Sequence, residues 1–366
     1  MNLAILIGHF PPGAFGGAEL QAEGWALRLA DRHRVTVITR RDPPEQPPEE
    51  ARDGFRIVRL PVSPVPLLRT GLDLAAIGRS VSDLTPRPDL LLCFQTFISG
   101  WAGVRAQARL GHPAVVWVRG EDEYRLDRSR ATRWLSPRVW SRARGVLVQS
   151  EAIREGLLAQ LERHAPRARP IVESKLEVVP NGLDLPAAIA LSGGRVLTIG
   201  RLIPAKGMDV VLDAVAGIQG QVTVVGEGPE RARLEARARA HDLDARFTGF
   251  LGREALDAHF RDAWVLVLAA RGGEGLPNVV LEAFAHGRPV VTTPLAGLRG
   301  LVEDGVNGLL VAPDDPRALR AALARLSHER GLAERLGRAG RATAERFAWE
   351  RVQPRLEALL QRWSAR

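Results

Sequence analysis

The run Trp264 to Ala270 is apolar at every position and breaks into Arg271-Gly-Gly-Glu-Gly275, after which an apolar stretch carries on to Ala285 and closes at Gly287. Few architectures accept that order. A strand without a polar position is buried on both faces, as in parallel sheets covered by helices. Pro277 suits the first helical position, where its missing N–H is no loss, and Gly287 suits the stop. The glycines between let a ligand approach the backbone, and a helix starting there offers N–H groups to an anion. Open α/β sheets bind ligands at such strand ends.

Other segments repeat the pattern. Leu3 to Gly8 reads as a buried strand, followed by a loop with Gly13, Gly16 and Gly17 and a helix with Leu20, Leu27 and Ala30 inward. Those glycines lack the G-x-G-x-x-G spacing of a dinucleotide fingerprint. Further strands are expected at Val35–Thr39, Arg56–Leu60, Leu90–Phe94, Ala114–Val118 and Gly145–Val148, with a proline-rich solvated loop over Asp42–Glu50. The first half is therefore a doubly wound α/β domain. A second set follows: Arg195–Gly207 reads as a strand ending in a loop before a helix, Gln221–Pro229 as a strand plus glycine turn, and Pro289–Thr293 and Leu309–Val311 as strands, then helices at Pro316–Leu326, Leu332–Ala344 and Trp349–Trp363. A length of 366 residues, 45% hydrophobic, supports two such domains.

Composition narrows the setting. Cys93 is the only cysteine, which excludes an intrachain disulfide and fits a reducing cytosol. The apolar start lacks a basic leader and meets Pro11-Pro12 at once, so it reads as a strand and not a signal peptide. No apolar run is long enough to span a membrane. The expected location is cytoplasmic. Formal charge is +9, and Lys175 and Lys206 are the only lysines. Such a chain can meet nucleic acid, an anionic membrane or phosphorylated substrates.

Two features keep two readings each. Glu282 is a lone carboxylate on an apolar helix: it either meets ligand hydroxyls such as those of a ribose, or lies on a solvated face. Arg125 to Arg144 carries seven arginines against one acidic residue, interleaved with Trp134 and Trp140, and Ser136-Pro137 is expected to cap a short helix there. That segment is either interfacial at anionic lipid or a solvated helix with its tryptophans packed inward.

Glu274-Gly-Leu-Pro-Asn-Val-Val-Leu-Glu282 resembles the E-x-x-x-x-x-x-x-E donor motif of the large family of retaining nucleotide-sugar glycosyltransferases with the GT-B fold, which includes sucrose synthases and phosphatidylinositol mannosyltransferases. Other segments are similar to that family as well: Gly16-Gly-Ala-Glu19, Val178-Val-Pro-Asn-Gly-Leu-Asp184, and Gly200-Arg-Leu-Ile-Pro-Ala-Lys-Gly207. The resemblance implies two Rossmann-like doubly wound α/β domains facing each other across a cleft. An acceptor-side domain would cover 1–186 with a C-terminal helix about 348–366 crossing back onto it, and a donor-binding domain 187–347.

It also implies roles. Glu274 would contact the transferred sugar; Gly275, Leu276, Pro277, Asn278 and Val279 would hold sugar and diphosphate; Glu282 would bind the ribose. Gly200, Arg201 and Lys206 would face the diphosphate, Gly226 the base, and Gly16 and Gly17 the diphosphate or acceptor. Glu19, Arg119 and Asp122 would lie towards the acceptor or have no assigned role, Arg119 being able to bind a phosphate or an acidic acceptor. Glu274, Arg201 and Lys206 would carry catalysis, with retention of configuration and with neither metal nor cofactor. The donor would be a nucleoside-diphosphate sugar and the acceptor a glycan, a lipid-linked molecule or a small molecule.

Arg119 stands where many family members have histidine, and it cannot act as a base. That departure keeps open a catalytically weakened relative that binds a nucleotide sugar or a partner. Nucleic-acid binding is not expected, since no recognised reading module is present.

Overall fold

The computed structural model describes residues 1–12, 16–62, 66–120, 124–187, 189, 193–218, 220–272 and 275–365, with side chains at all of these except 66–70 and 330. The chain divides into two compact units, Met1–Gly182 with Val352–Arg366, and Leu183–Arg351.

The first unit is built on β1 (Asn2–Leu6), β2 (Arg34–Arg41), β3 (Glu49–Arg52), β4 (Phe55–Pro61), β5 (Leu90–Phe94), β6 (Ala114–Trp117), β7 (Gly145–Val148) and β8 (Leu176–Val178). They form one sheet in the order β3-β4-β2-β1-β5-β6-β7-β8. Every pair is parallel except β3 with β4. All five residues of β5 and all four of β6 and β7 are buried, as strands covered by helices on both faces must be. The order reverses between β1 and β5, so the loops after these two strands part to opposite sides.

Three local expectations are corrected here. The Asp42–Glu50 loop ends in a strand: polar Glu49–Arg52 pairs antiparallel with β4, and the buried Arg59 donates to Glu50 at 2.6 Å. The helix Gly17–Ala30 buries Ala22, Trp25, Ala26 and Leu29, while Leu20, Leu27 and Ala30 are only half-buried. Trp25 sets that face, its ring 5.5 Å from that of Trp117 on β6. The arginine-rich helix runs Arg130–Arg142 and is capped by Ser129, whose Oγ accepts the Thr132 N–H at 3.0 Å. Pro137 falls inside it and removes one helical hydrogen bond. Burial of Val139 and of Trp140, whose Nε1 donates to Thr96 Oγ1 at 2.9 Å, offsets that loss.

The second unit has β9 (Arg195–Ile199), β10 (Gln221–Val225), β11 (Ala245–Gly249), β12 (Ala263–Leu268), β13 (Val290–Thr292) and β14 (Leu309–Leu310). Their order is β11-β10-β9-β12-β13-β14, every pair parallel. Two apolar layers pack in this unit, one around Val211, Val265 and Leu319, the other around Leu266, Val280 and Phe284. The order reverses between β9 and β12. The residues after their carboxyl ends are the cation-bearing Gly200–Gly207 and the glycine-rich 269–277.

Residues from Val352 onward belong to the first unit. There Gln353 donates to the Arg28 carbonyl at 3.1 Å and Arg362 to Glu177 at 2.7 Å, and the Trp363 ring fills the space beside Gly145.

Candidate active site

At the end of β9 the chain turns through Gly200, whose φ of +156° lies at the limit of what a side chain tolerates. A Cβ there would lie 3.6 Å from the Lys206 stem, an ordinary contact, so it is the backbone conformation and not the space that favours glycine. Arg201 is exposed. The 3-10 turn Pro204–Lys206 then delivers Lys206, and Gly207 follows in the left-handed region at φ +65°. A Cβ on Gly207 would meet the carbonyl oxygen of Ala269 at 2.0 Å. The backbone of the Lys206 loop thus presses directly on the end of β12.

Gly226, at the end of β10, approaches equally closely. Its φ is +132°, a Cβ would meet the Gly200 carbonyl oxygen at 2.0 Å, and its N–H donates to the Gly249 carbonyl at 2.9 Å. The loops after β9, β10 and β12 are therefore brought together, carrying Gly200, Arg201, Lys206, Gly226 and the start of the glycine run. Lys175, the other lysine, instead donates to the carbonyls of Ser141 and Ala143 at 2.7 and 2.6 Å and fastens the end of a helix.

After the glycine run the helix is Asn278–Ala285, with Pro277 as its N-cap and not its first residue. The φ of −69° that proline imposes is kept, but ψ is 110°, so the helix starts one residue later. Asn278 and Val279 are its first residues, whose N–H groups have no carbonyl one turn back inside the helix. Leu276 is buried and Gly275 partly so, anchoring the turn. Glu274 lies outside the described residues, as does Asp122.

Glu282 is partly buried among Val280, Leu281, Ala283 and Phe284. Among the described residues no hydrogen-bond donor reaches its carboxylate. Burial pushes its carboxyl up to about 7, with nearby Asp257 adding to the rise and Arg253 opposing it. A half-dry carboxylate without a donor keeps its acceptor capacity unused by the described residues.

The first unit holds Gly16, Gly17, Glu19 and Arg119. Gly16 is the N-cap of its helix, and a Cβ there would strike the Glu19 carboxylate, which folds back over the helix start. Arg119 is buried beyond β6, its guanidinium 5.0 Å from the Trp117 ring and 5.3 Å from that of Phe94. It donates to Asn181 Oδ1 at 2.9 Å. Next to it Gly182 is clasped by Gln21, which donates to its carbonyl at 2.8 Å and accepts its N–H at 3.1 Å. The Asn181-Gly182 turn therefore ties the first helix to the end of β6. Sequence reasoning assigned nothing to Gln21 or to Arg271, the residue just before the glycine run.

Two family models match the chain: "Glycosyl transferase 4-like domain" over residues 16–182, and "Glycosyl transferases group 1" over residues 193–329. An uncharacterized glycosyltransferase of Methanocaldococcus jannaschii is 26% identical over 269 residues, 72% of each chain. A D-inositol 3-phosphate glycosyltransferase of Streptomyces griseus is 35% identical over 205 residues, which span 51% of this chain and 40% of that relative. Among solved structures, sucrose-phosphate synthase of Thermosynechococcus elongatus superposes with a TM-score of 0.84 over 99% of this chain and 98% of that one, at 22% identity. HepE of Anabaena in complex with UDP-glucose superposes with a TM-score of 0.78 over 99% of each chain, at 19% identity. Two doubly wound units, each opening its loops at a switch in strand order, and two glycosyltransferase models that between them take in both units place this chain in one family: it belongs to the GT-B-fold glycosyltransferases.

Proposed function

We propose that the protein moves a hexose from a nucleoside-diphosphate sugar to an acceptor with retention of configuration. The observation that carries this reading is the meeting of the Arg201/Lys206 loop with the loop before the Asn278 helix at the strand-order switch of the second unit. Departure of a diphosphate builds negative charge on its oxygens. Two cations and the positive end of a helix, fixed beforehand, stabilise that charge as it forms. Glu282 takes the ribose hydroxyls and Glu274 the transferred sugar, while Gly226 lies towards the base. The UDP-glucose complex of HepE supports a nucleotide-sugar donor. Nucleotide release from purified protein, measured over a panel of nucleoside-diphosphate sugars, tests the reading; release from one or two of them is expected, and release from none with any acceptor class would overturn it.

The acceptor is a glycan, a small molecule or a lipid-linked molecule, and one surface of the first unit favours the last. Pro137, Arg138, Ser141 and Arg142 line a groove of about 480 Å³ with Ala165 to Ala168, Arg167 among them. Beside it Trp134 is 56% exposed under the Arg138 guanidinium, 4.5 Å from the ring centroid. Arginines around an exposed tryptophan suit an anionic bilayer surface. No helix among the described residues is long and apolar enough to cross a membrane.

A further inference from the structure

Arg271 lies three residues beyond β12, immediately before the glycine run, and its guanidinium reaches three separate segments. Nη1 donates to the Pro204 carbonyl, Nη2 to Asp209 Oδ2 at 3.0 Å and Nε to Asp314 Oδ1 at 2.5 Å. Its backbone N–H donates to the Ala205 carbonyl at 2.8 Å. Pro204 and Ala205 are the first two residues of the turn that ends in Lys206. Asp209 is in the first turn of the helix Met208–Ala216, and Asp314 precedes the helix Pro316–His328.

One residue therefore takes two successive carbonyls of the Lys206 turn while its side chain is held from behind by two carboxylates. A lysine could not do this, because a single ammonium lacks the planar fork that meets several acceptors in fixed directions. The same turn is pressed against Ala269 through Gly207. The placement separates this from an ordinary surface ion pair: all the bonded groups lie at the carboxyl ends of β9, β12 and β14.

We propose that Arg271 is a positioning residue that fixes the distance between Lys206 and the glycine loop, so that a nucleoside diphosphate meets a preset pair of anion-binding loops. The inference rests on the reading of Lys206 as a diphosphate ligand. Arg271 is spent on protein partners and does not itself touch the ligand. Without it the turn keeps its lysine but must be ordered when the ligand arrives, and that cost falls on affinity.

The experiment is a double-mutant cycle read by calorimetry, with the nucleoside diphosphate selected by the donor panel and, in parallel, the bare nucleoside. Arg271→Gln is expected to weaken the diphosphate about 10-fold to 100-fold and leave the nucleoside unchanged, and the double variant with Lys206→Ala should be no weaker than Lys206→Ala alone. Arg271→Lys should recover little. Additive losses, an equal loss for the bare nucleoside, or an Arg271→Gln protein that binds like the parent while Lys206→Ala is weakened would each overturn the positioning role. If Lys206→Ala binds diphosphate like the parent, the donor-site reading fails and takes this one with it. Should Arg271→Gln not fold, Asp209→Asn with Asp314→Asn loosens the same guanidinium from behind and goes through the same cycle with the same outcomes.

Discussion

His286 Nδ1 lies 2.8 Å from the carbonyl oxygen of Glu282, one helical turn back, so the ring carries its proton on Nδ1 and donates it. Its other face stacks on Phe260, centroids 4.9 Å apart, and burial holds its pKa below the ordinary value. Burial thus favours the neutral imidazole, opposed by the Asp257 carboxylate, whose Oδ1 lies 3.5 Å from Nε2.

Glu282 supplies the pH dependence. Its folded pKa of about 7 exceeds the ordinary 4.5 of a free carboxyl, so the folded protein holds this proton longer than the unfolded chain. The sign follows: burial of Glu282 costs little below pH 4.5, the cost grows as pH rises through this interval, and it is complete above about 7. Glu282→Gln removes the titration. Its Tm relative to the parent should therefore rise between pH 5 and pH 8, by a difference worth at most about 3 kcal/mol; a constant difference would contradict the buried carboxyl.

The same group should show itself on ligand binding. Ribose hydroxyls donating to the carboxylate favour its ionised form, so nucleotide binding near neutral pH should release a proton from Glu282. Calorimetry in buffers of different ionisation enthalpy reads that release. The phosphate's own protons are common to both proteins, so the parent should release more than Glu282→Gln, and equal release would place the ribose elsewhere.

Gly207 should be intolerant of even one methyl group. At φ +65°, with a Cβ 2.0 Å from the Ala269 carbonyl oxygen, Gly207→Ala must move the backbone of one loop or the other. A loss of about 1 to 3 kcal/mol in stability is expected, together with lower turnover, because one of the two loops carries Lys206 and the other leads into the glycine run. Gly272→Ala is the comparison: its φ is +148° but none of the described residues comes within 4 Å of an added Cβ. Denaturant melts of the two should separate contact from strain, Gly207→Ala being the weaker protein.

Much of this was legible because parallel strands announce themselves. Leu90–Phe94 and Ala263–Leu268 are apolar throughout, and a glycine turn follows β9, β10 and β12, so strands and strand-end loops could be read in one dimension. What was not legible depends on partners distant in sequence. Glu49–Arg52 has no strand pattern and becomes one by pairing with β4 at the sheet edge. The buried face of the first helix is set by Trp25 against Trp117, a contact between residues 92 positions apart. Gln21 meets Gly182 over a separation of 161, and Arg271 meets Pro204 over 67. In so arginine-rich a chain no local pattern distinguishes the arginine that fixes a loop from one that faces water.

The groove of Arg138, Arg142 and Arg167 makes its own prediction. Each basic residue close to an anionic leaflet contributes roughly 1 kcal/mol, screened by salt. The parent should float with vesicles containing anionic phospholipid at low salt and much less at moderate salt, and Arg138→Glu with Arg142→Glu and Arg167→Glu should abolish flotation while leaving nucleotide release intact. Equal partitioning into neutral vesicles, or none into either kind, would leave the arginine-rich helix as a solvated face.

The two glutamates of the donor motif should fail differently when lost. A ribose is present in substrate and nucleotide product alike, so a residue that binds it serves both states equally, and Glu282→Gln should weaken nucleoside diphosphate and nucleotide sugar together with a smaller effect on turnover. Glu274 is flanked by the glycines of the loop that precedes the Asn278 helix, where the transferred sugar would lie against backbone N–H groups. Its partner leaves with the acceptor, so Glu274→Gln should lower transfer by about 100-fold or more, the scale of a lost contact to the reacting centre, and change diphosphate affinity little. Calorimetry with the diphosphate beside a transfer assay separates the two. The reverse pattern would exchange the roles, whereas two variants that bind and transfer like the parent would make both carboxylates bystanders and leave the donor site resting on the Arg201/Lys206 loop and the helix start alone.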